Sequence, residues 1–414
     1  MQERIKQLRA DIQKNRFNPR LIRHFDWPLF LLVIGISLFG IVSIYAATAR
    51  ATEEEVHGLA QALNTHPITY ARLQFFWMLA GIVAMCAMIF FNYHLFGRYA
   101  DLIYWANIFV LLAVLSVEAG RGGMTAFFKW GSSSGNLGQR GLQPSEFGKV
   151  AIIIALANLF SKRRKPVQTL RELIPLCVYV FIPLVLVVLQ PDFGTALVYI
   201  AIFAVLLWVS GTSLKLIVGV LAVAVVVLVP VWYIMNASSS SFRLTRILMW
   251  LHPEDYPDDA MQVINGQIAI GSGGLTGKGM FSLGSFASLG FIPDDHTDFC
   301  FAIVCEAFGF IGATALILAF ALLLGRLIWH AVKTEDRFGS YIITGVMAMF
   351  LFHIMENICM IIGLMPVTGI PLPFISYGGS NYLTNMLAIG LVMNVVMNSR
   401  LNRQLGDNRY TQRL

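Results

Sequence analysis

Ten stretches of this chain are apolar over lengths that fit a bilayer, and no other feature constrains the fold as much. They run roughly over 27–47, 73–92, 99–117, 147–160, 173–189, 194–210, 214–234, 298–325, 340–363 and 381–397. A hydrocarbon core of about 30 Å needs about 20 helical residues, and only helices or closed barrels satisfy their backbone inside lipid. The fourth and sixth stretches are short for this. The expected fold is an all-α polytopic membrane protein of about ten transmembrane helices. Composition removes the alternatives, because 57% of the 414 residues are apolar and only 13% are charged. A soluble core of this size cannot hide that much apolar surface, and a disordered chain needs the opposite balance. The first stretch follows 26 residues and carries no small-residue cleavage site, so it is expected to stay as a helix.

Basic residues set the expected orientation. With both termini in the cytoplasm, 21 of the 30 Lys and Arg fall on the cytoplasmic side. That asymmetry is the one the positive-inside rule demands. The net charge of +7 therefore reflects membrane topology and not nucleic-acid binding. The cluster Lys162-Arg163-Arg164-Lys165 is an ordinary cytoplasmic loop in this scheme. The expected organisation is a basic cytoplasmic segment over 1–26, one transmembrane domain over 27–397, and a cytoplasmic tail over 398–414. The large loop 235–297, between helices 7 and 8, is extracytoplasmic and too long for a simple connector. The five cysteines (Cys86, Cys177, Cys300, Cys305, Cys359) sit in or beside apolar runs and read as packing residues, not a disulfide framework.

Ionisable residues inside a span are costly and mark functional candidates. Glu146 and Lys149 open the fourth span at i,i+3 spacing, where they can pair. They either anchor a helix end or line a substrate cavity. Asp192, in Gln190-Pro191-Asp192-Phe193-Gly194, can cap the sixth helix. Asp298 opens the eighth span, with capping again the plain alternative. Glu306 lies about two turns deeper and roughly 80° around the helix, so the two carboxylates suggest a polar cleft entering from outside. Glu356 either resembles them or pairs with His353.

Two motifs mislead. Gly271 to Gly279 looks like a phosphate loop, but Ser272 stands where the pattern needs Gly and Gly279 replaces the required Ser or Thr. Asp294, Asp295, His296 and Asp298 look like ligands for a hard cation. No cofactor is demanded by the sequence, and a divalent cation, Mg or Mn, is the one this cluster could hold.

Taken in order, several blocks form one pattern: Gln143-Pro144-Ser145-Glu146, Gln190-Pro191-Asp192-Phe193-Gly194-Thr195, Arg243 to Arg246, Ala269 to Gly274 with Gly277-Lys278-Gly279, His296-Thr297-Asp298-Phe299, and Pro366 to Ser380. With this topology the chain resembles the SEDS (shape, elongation, division and sporulation) family of bacterial peptidoglycan polymerases. The resemblance covers Asp26 to about Arg400, and Val367 to Pro373 is nearer the rod-shape branch than the division branch. Ala307 stands where the family often has a second acidic residue.

The resemblance implies a glycosyltransferase acting on lipid II at the outer membrane face, releasing undecaprenyl pyrophosphate. It makes Asp298 the match to the essential aspartate. A hydroxyl acceptor needs a base in contact, and a pyrophosphate leaving group needs cations. Arg243, Arg246, Lys278 and Lys149 are the cations nearest the polar blocks, and arginine forks suit phosphate oxygens. Glu146, Asp192, Glu306 and Ser376 complete the expected substrate-binding set. The family also implies a class B penicillin-binding protein as the cross-linking partner, since no Ser-based transpeptidase motif occurs here. A lipid II flippase and a non-catalytic scaffold for such a partner are the competing functions.

Overall fold

The computed structural model describes residues 23–48, 69–119, 128–130, 140–190, 192–219, 222–223, 226, 229, 242–282, 284–292 and 295–411. Almost all of this is helix. In chain order the helices are α1 (Trp27–Thr48), α2 (Thr69–Phe90), α3 (Tyr93–Arg98), α4 (Ala100–Ala119), α5 (Pro144–Ser161) and α6 (Leu170–Leu189). They continue as α7 (Phe193–Val209), α8 (Phe242–Leu251), α9 (Pro257–Ser272), α10 (Cys300–Lys333), α11 (Arg337–Ile361) and α12 (Gly379–Thr411). A short hairpin departs from the all-α expectation: β1 (Phe128–Trp130) pairs antiparallel with β2 (Arg140–Leu142) inside the Gly- and Ser-rich loop.

Among the described residues, seven helices are long and apolar enough to cross a membrane: α1, α2, α5, α6, α10, α11 and α12. Ala100–Ser116 and Phe193–Val209 are shorter apolar helices. Nine of the ten expected spans are thus helical. The other, 214–234, lies largely outside the described residues, as do the 1–22 segment, the serines at 238–241 and Asp294. Two boundaries move for clear reasons. Helix α5 starts three residues early because Pro144 sits in its first turn, where a missing N–H costs nothing. Helix α12 continues past residue 397 to Thr411, so the expected tail begins as helix.

Large apolar side chains such as Leu31, Val83, Phe109, Leu170, Phe310 and Leu322 are exposed along the helices. A soluble protein could not keep so many, whereas lipid is their solvent. Helices α5 and α12 form the centre, and α5 buries Glu146, Lys149 and Asn158 along with its apolar residues.

Two irregular features position the polar residues. Helix α10 is broken at Gly309, whose φ of 65° and ψ of −164° are closed to other residues. Residues 274–279 take over the freed backbone groups: Phe310 N–H donates to Gly274 O at 2.9 Å and Ile311 N–H to Leu275 O at 3.1 Å. In return Lys278 N–H donates to Glu306 O at 2.9 Å and Gly279 N–H to Ala307 O at 3.0 Å. A Cβ on Gly277 would stand 2.3 Å from Ala307 O, so the glycines that imitate a phosphate loop serve close backbone approach.

The second feature is the segment 363–378 between α11 and α12, which turns back into the bundle without regular structure. Ile370, Leu372, Phe374 and Ile375 are all buried there. Irregular backbone survives at such depth only when protein satisfies it. Asn357 Nδ2 donates to Ile370 O at 2.8 Å, Trp250 Nε1 to Gly363 O at 2.9 Å, and Gln74 Nε2 to Ser376 O at 3.4 Å. Gly40 of α1 lets this segment in, since a Cβ there would lie 2.4 Å from Phe374 O.

Candidate active site

Asp298 sits in the turn just before α10, half-buried, with Phe299 behind it fully buried and acting as the N-cap. The N-cap position is thus occupied by Phe299 and not by Asp298. The Asp298 backbone is fixed: Asn357 Nδ2 donates to Asp298 O at 2.8 Å while bridging to Ile370 O. One buried amide on α11 thus ties the start of α10 to the 363–378 segment. The carboxylate faces Gly369, where φ is 77° and a Cβ would lie 3.2 Å from Oδ2. The neighbouring Thr368 hydroxyl donates to Glu356 Oε1. Glu356 is 1% exposed, and its Oε2 has no hydrogen-bond partner among the described residues.

Arg246 reaches the same segment. Its Nη1 donates to Val367 O at 3.4 Å from the half-buried side of α8. Arg243 lies one turn earlier on α8, and its side chain is outside the described residues. Beside Asp298, an aromatic wall forms from Tyr70, His296 and Tyr377, with ring centroids 4.5 to 5.7 Å apart. Tyr377 N–H donates to His296 O at 2.8 Å, and His296 Nδ1 lies 3.1 Å from Asp295 Oδ1.

A second group lies deeper. Glu146 Oε2 and Lys149 Nζ pair at 2.7 Å, with both side chains buried. Asn381 Nδ2 donates to the same Glu146 oxygen at 3.1 Å. Lys149 Nζ also lies 3.1 Å from His353 Nε2, and His353 Nδ1 lies 3.4 Å from Pro371 O. An ammonium has only donors, so Nε2 accepts and Nδ1 carries the ring's proton. His353 is thus taken by Lys149 and Pro371, and the expected pairing with Glu356 is not formed. Asp192 caps α7 through Thr195 N–H at 3.1 Å, as its position suggested. It also accepts from Gln143 Nε2 and Ser145 Oγ, both at 2.7 Å, which joins α7 to the start of α5.

The remaining expected residues are held elsewhere. Helix α10 begins only at Cys300, so the projected 80° separation of Glu306 from Asp298 does not apply, and Glu306 turns toward the 273–287 segment. There it accepts from Lys278 Nζ at 2.9 Å, Phe286 N–H at 2.8 Å and Ala287 N–H at 3.3 Å. Lys278 is therefore engaged by a carboxylate and not by the 367–370 segment. Ser376 is buried, and its Oγ accepts Leu372 N–H at 2.9 Å, closing the irregular segment on itself.

Among the described residues, no three His, Cys, Asp or Glu side chains gather as they would to hold a metal ion. Asp294, a member of the expected cation cluster, lies outside the described residues. Sequence reasoning missed Asn357, Thr368, Tyr70 and Tyr377. Asn357 left a signal as an amide inside an apolar run, and Thr368 and Tyr377 lie in the Pro366 to Ser380 block without having been given a role.

A family model described as Cell cycle protein, covering FtsW, RodA and SpoVE, matches residues 26–401. Stage V sporulation protein E of Bacillus subtilis is 31% identical over 381 residues, which is 91% of this chain and 98% of the relative. The peptidoglycan glycosyltransferase MrdB of Escherichia coli K12 is 30% identical over 377 residues, 90% of this chain and 93% of the relative. The crystal structure of Thermus thermophilus rod shape determining protein RodA matches with a TM-score of 0.63 at 25% identity, over 91% of this chain and 97% of that one. A chain from a peptidoglycan synthase complex, solved for its coordination of polymerization and crosslinking, matches with a TM-score of 0.69 at 25% identity, covering 91% and 98%. Over nearly its whole length, in motifs and in fold, this chain belongs to the FtsW, RodA and SpoVE family of cell cycle proteins.

Proposed function

We propose that this chain is a peptidoglycan glycosyltransferase that polymerises lipid II. It is a multi-pass protein of the bacterial cytoplasmic membrane, and its relatives MrdB and RodA carry that activity in their names. The observation that carries the residue assignment is the convergence of Asp298 and Arg246 on residues 367–370. The Asp298 end of the bundle faces outward, opposite the basic Lys162–Lys165 loop.

In the reaction the 4-hydroxyl of the acceptor sugar attacks the anomeric carbon of the growing chain. The bond from that carbon to the pyrophosphate oxygen breaks, and Asp298 takes the hydroxyl proton. A carboxylate in contact with the nucleophile is suited to that transfer. The negative charge that develops on the leaving undecaprenyl pyrophosphate meets Arg246, with Arg243 one turn along. Charge held in place before the reaction is the larger catalytic contribution in such sites. The buried Glu146–Lys149–His353 group acts from behind, bracing Pro371 and hence the segment that faces Asp298.

Strand synthesis must be followed by cross-linking, and a transpeptidase of the class B penicillin-binding type is the proposed partner. The likeness to a chain of a peptidoglycan synthase complex supports this. The test is reconstitution with labelled lipid II. Wild-type protein should yield glycan polymer, and Asp298→Asn should yield none while keeping its thermal midpoint. Near-normal polymerisation by Asp298→Asn would falsify the base assignment.

A further inference from the structure

At the end of the bundle away from Asp298, three connections meet: the one leaving α5, the one leaving α7, and the one entering α11. They surround a cavity of about 310 Å3. Arg163, Arg164, Lys165 and Arg337 line it, against Glu335 as the one acid in its wall. Arg163 and Arg337 are set in place by the backbone. Arg337 Nη1 donates to Arg163 O and Arg163 Nη2 to Glu172 O, each at 3.2 Å. Arg164 and Lys165 are exposed, and neither pairs with an acidic side chain among the described residues. Phe160 and Tyr341 form an apolar floor, with ring centroids 5.8 Å apart.

Basic residues after a helix C-terminus are ordinary complements of its dipole, and Arg163 to Lys165 follow the end of α5. That accounts for three cations but not for their sharing one cavity with Arg337 from the other side. The location narrows the ligand. The cavity lies at the level where α5 and α7 end and α11 begins, which is the lipid–water boundary of the bundle. Val209 in its lining and the adjoining Trp208 are exposed apolar residues at the end of α7. A site open to both the headgroup layer and the acyl layer, with a net excess of cations, suits an anionic lipid. Its volume is at the small end for ligand sites, enough for a phosphate-bearing headgroup.

We infer that this cavity is a binding site for the headgroup of an anionic glycerophospholipid, with the phosphate between Arg164, Lys165 and Arg337 and the acyl chains lying along Trp208 and Val209. This site is separate from the proposed polymerase centre and does not depend on that reading. Its occupant would brace the α5–α6 connection against the α10–α11 turn.

The test uses the full chain, delipidated in detergent and examined by native mass spectrometry with added phosphatidylglycerol or phosphatidylcholine. Wild-type protein should retain one phosphatidylglycerol under activation that strips phosphatidylcholine. Arg164→Gln with Lys165→Gln should lower that occupancy at least about tenfold, the scale of losing charge-assisted contacts. The thermal midpoint in phosphatidylcholine should be unchanged. Glu335→Gln, which removes the one acid, should raise retention and gives a second readout if the double variant misfolds. Equal retention by the double variant and wild type would overturn the site. Displacement by equimolar glycerol 3-phosphate would overturn a lipid as the ligand, and displacement by a polyglutamate peptide would overturn it in favour of an acidic protein segment.

Discussion

Glu306 was expected at the reaction centre, and its surroundings make a different, measurable demand. Removing its carboxylate should loosen the 273–292 loop before it affects any chemical step. The side chain is 1% exposed and makes two short bonds, to Lys278 Nζ at 2.9 Å and Phe286 N–H at 2.8 Å. Hydrogen bonds to a charged group contribute about 1.5–3 kcal/mol each, against about 0.5–1.5 for neutral ones. Glu306→Gln keeps the shape and loses the charge, so the loop should weaken by about 2 kcal/mol. Glu306→Ala leaves Lys278 and two N–H groups without an acceptor, for about 3–5 kcal/mol by analogy with half-broken buried pairs. Lys278 is 27% exposed and can turn to water, which places the effect at the lower end. Three kcal/mol corresponds to about 150-fold more frequent opening. Limited proteolysis of residues 273–292 in detergent reads that opening directly. Replacing Lys278 as well, as Glu306→Gln with Lys278→Met, should cost less than the sum of the single changes, because each alone strands its partner. A Glu306→Ala protein that fails to polymerise lipid II yet shows wild-type loop protection would refute this reasoning and return Glu306 to the chemistry.

Other expectations follow from the same geometry. Asp26 is buried against Arg326, His330 and Arg400, and although burial opposes its charge, the His330 and Arg326 contacts hold its carboxyl well below the usual range. A depressed carboxylate stabilises above its unfolded pKa, so that contribution should be complete above about pH 5 and fade as pH falls below it. The acid limb of a thermal-midpoint profile should flatten in Asp26→Asn, and an unchanged limb would count against the cluster. Gly369→Ala should cut polymerisation at least about tenfold, because its Cβ would press on Asp298 Oδ2 at a backbone angle that already disfavours side chains. Full activity would show that the 368–370 turn can yield. Glu356→Gln retains an acceptor for the Thr368 hydroxyl, so activity should stay within a few-fold, whereas Glu356→Leu should lose that bond and much of the activity. Equal activity of the two variants would mean that Thr368 needs no partner there.

The membrane architecture was legible because an apolar stretch of bilayer length identifies a helix that must satisfy itself in lipid. The polar pairs were legible where partners are near in sequence, as with Glu146 and Lys149. Partners far along the chain were not. Asn357 bridges Asp298 and Ile370 across 59 and 13 residues, and no local pattern announces such a bond. Gly309 looked like one more small residue in an apolar run. Its meaning depends on residues 274–279, which themselves resembled a phosphate loop. Lys278 and Ser376 were expected to bind substrate from the motif blocks they lie in, and the structure adds the partners those blocks do not announce, Glu306 for Lys278 and the Leu372 N–H for Ser376.

The break in α10 carries one more consequence. Two backbone donors from the 274–279 segment and two from α10 cross between them, at a level where Leu275, Phe310 and Ile311 face lipid. Lifting the segment away would strand four donors and four acceptors in a medium with no water to receive them. Each stranded group costs about 1–3 kcal/mol, so partial peeling is penalised at every step and no half-open form is favoured. Because these bonds reach Glu306 and Ala307 on one side of Gly309 and Phe310 and Ile311 on the other, the loop splints the break, and the loop with both flanks of α10 must travel as one rigid block. Any gating at this face would be a movement of that whole block, not the flap of a lid, and it would be coupled to whatever presses on the lipid-facing side of the helix.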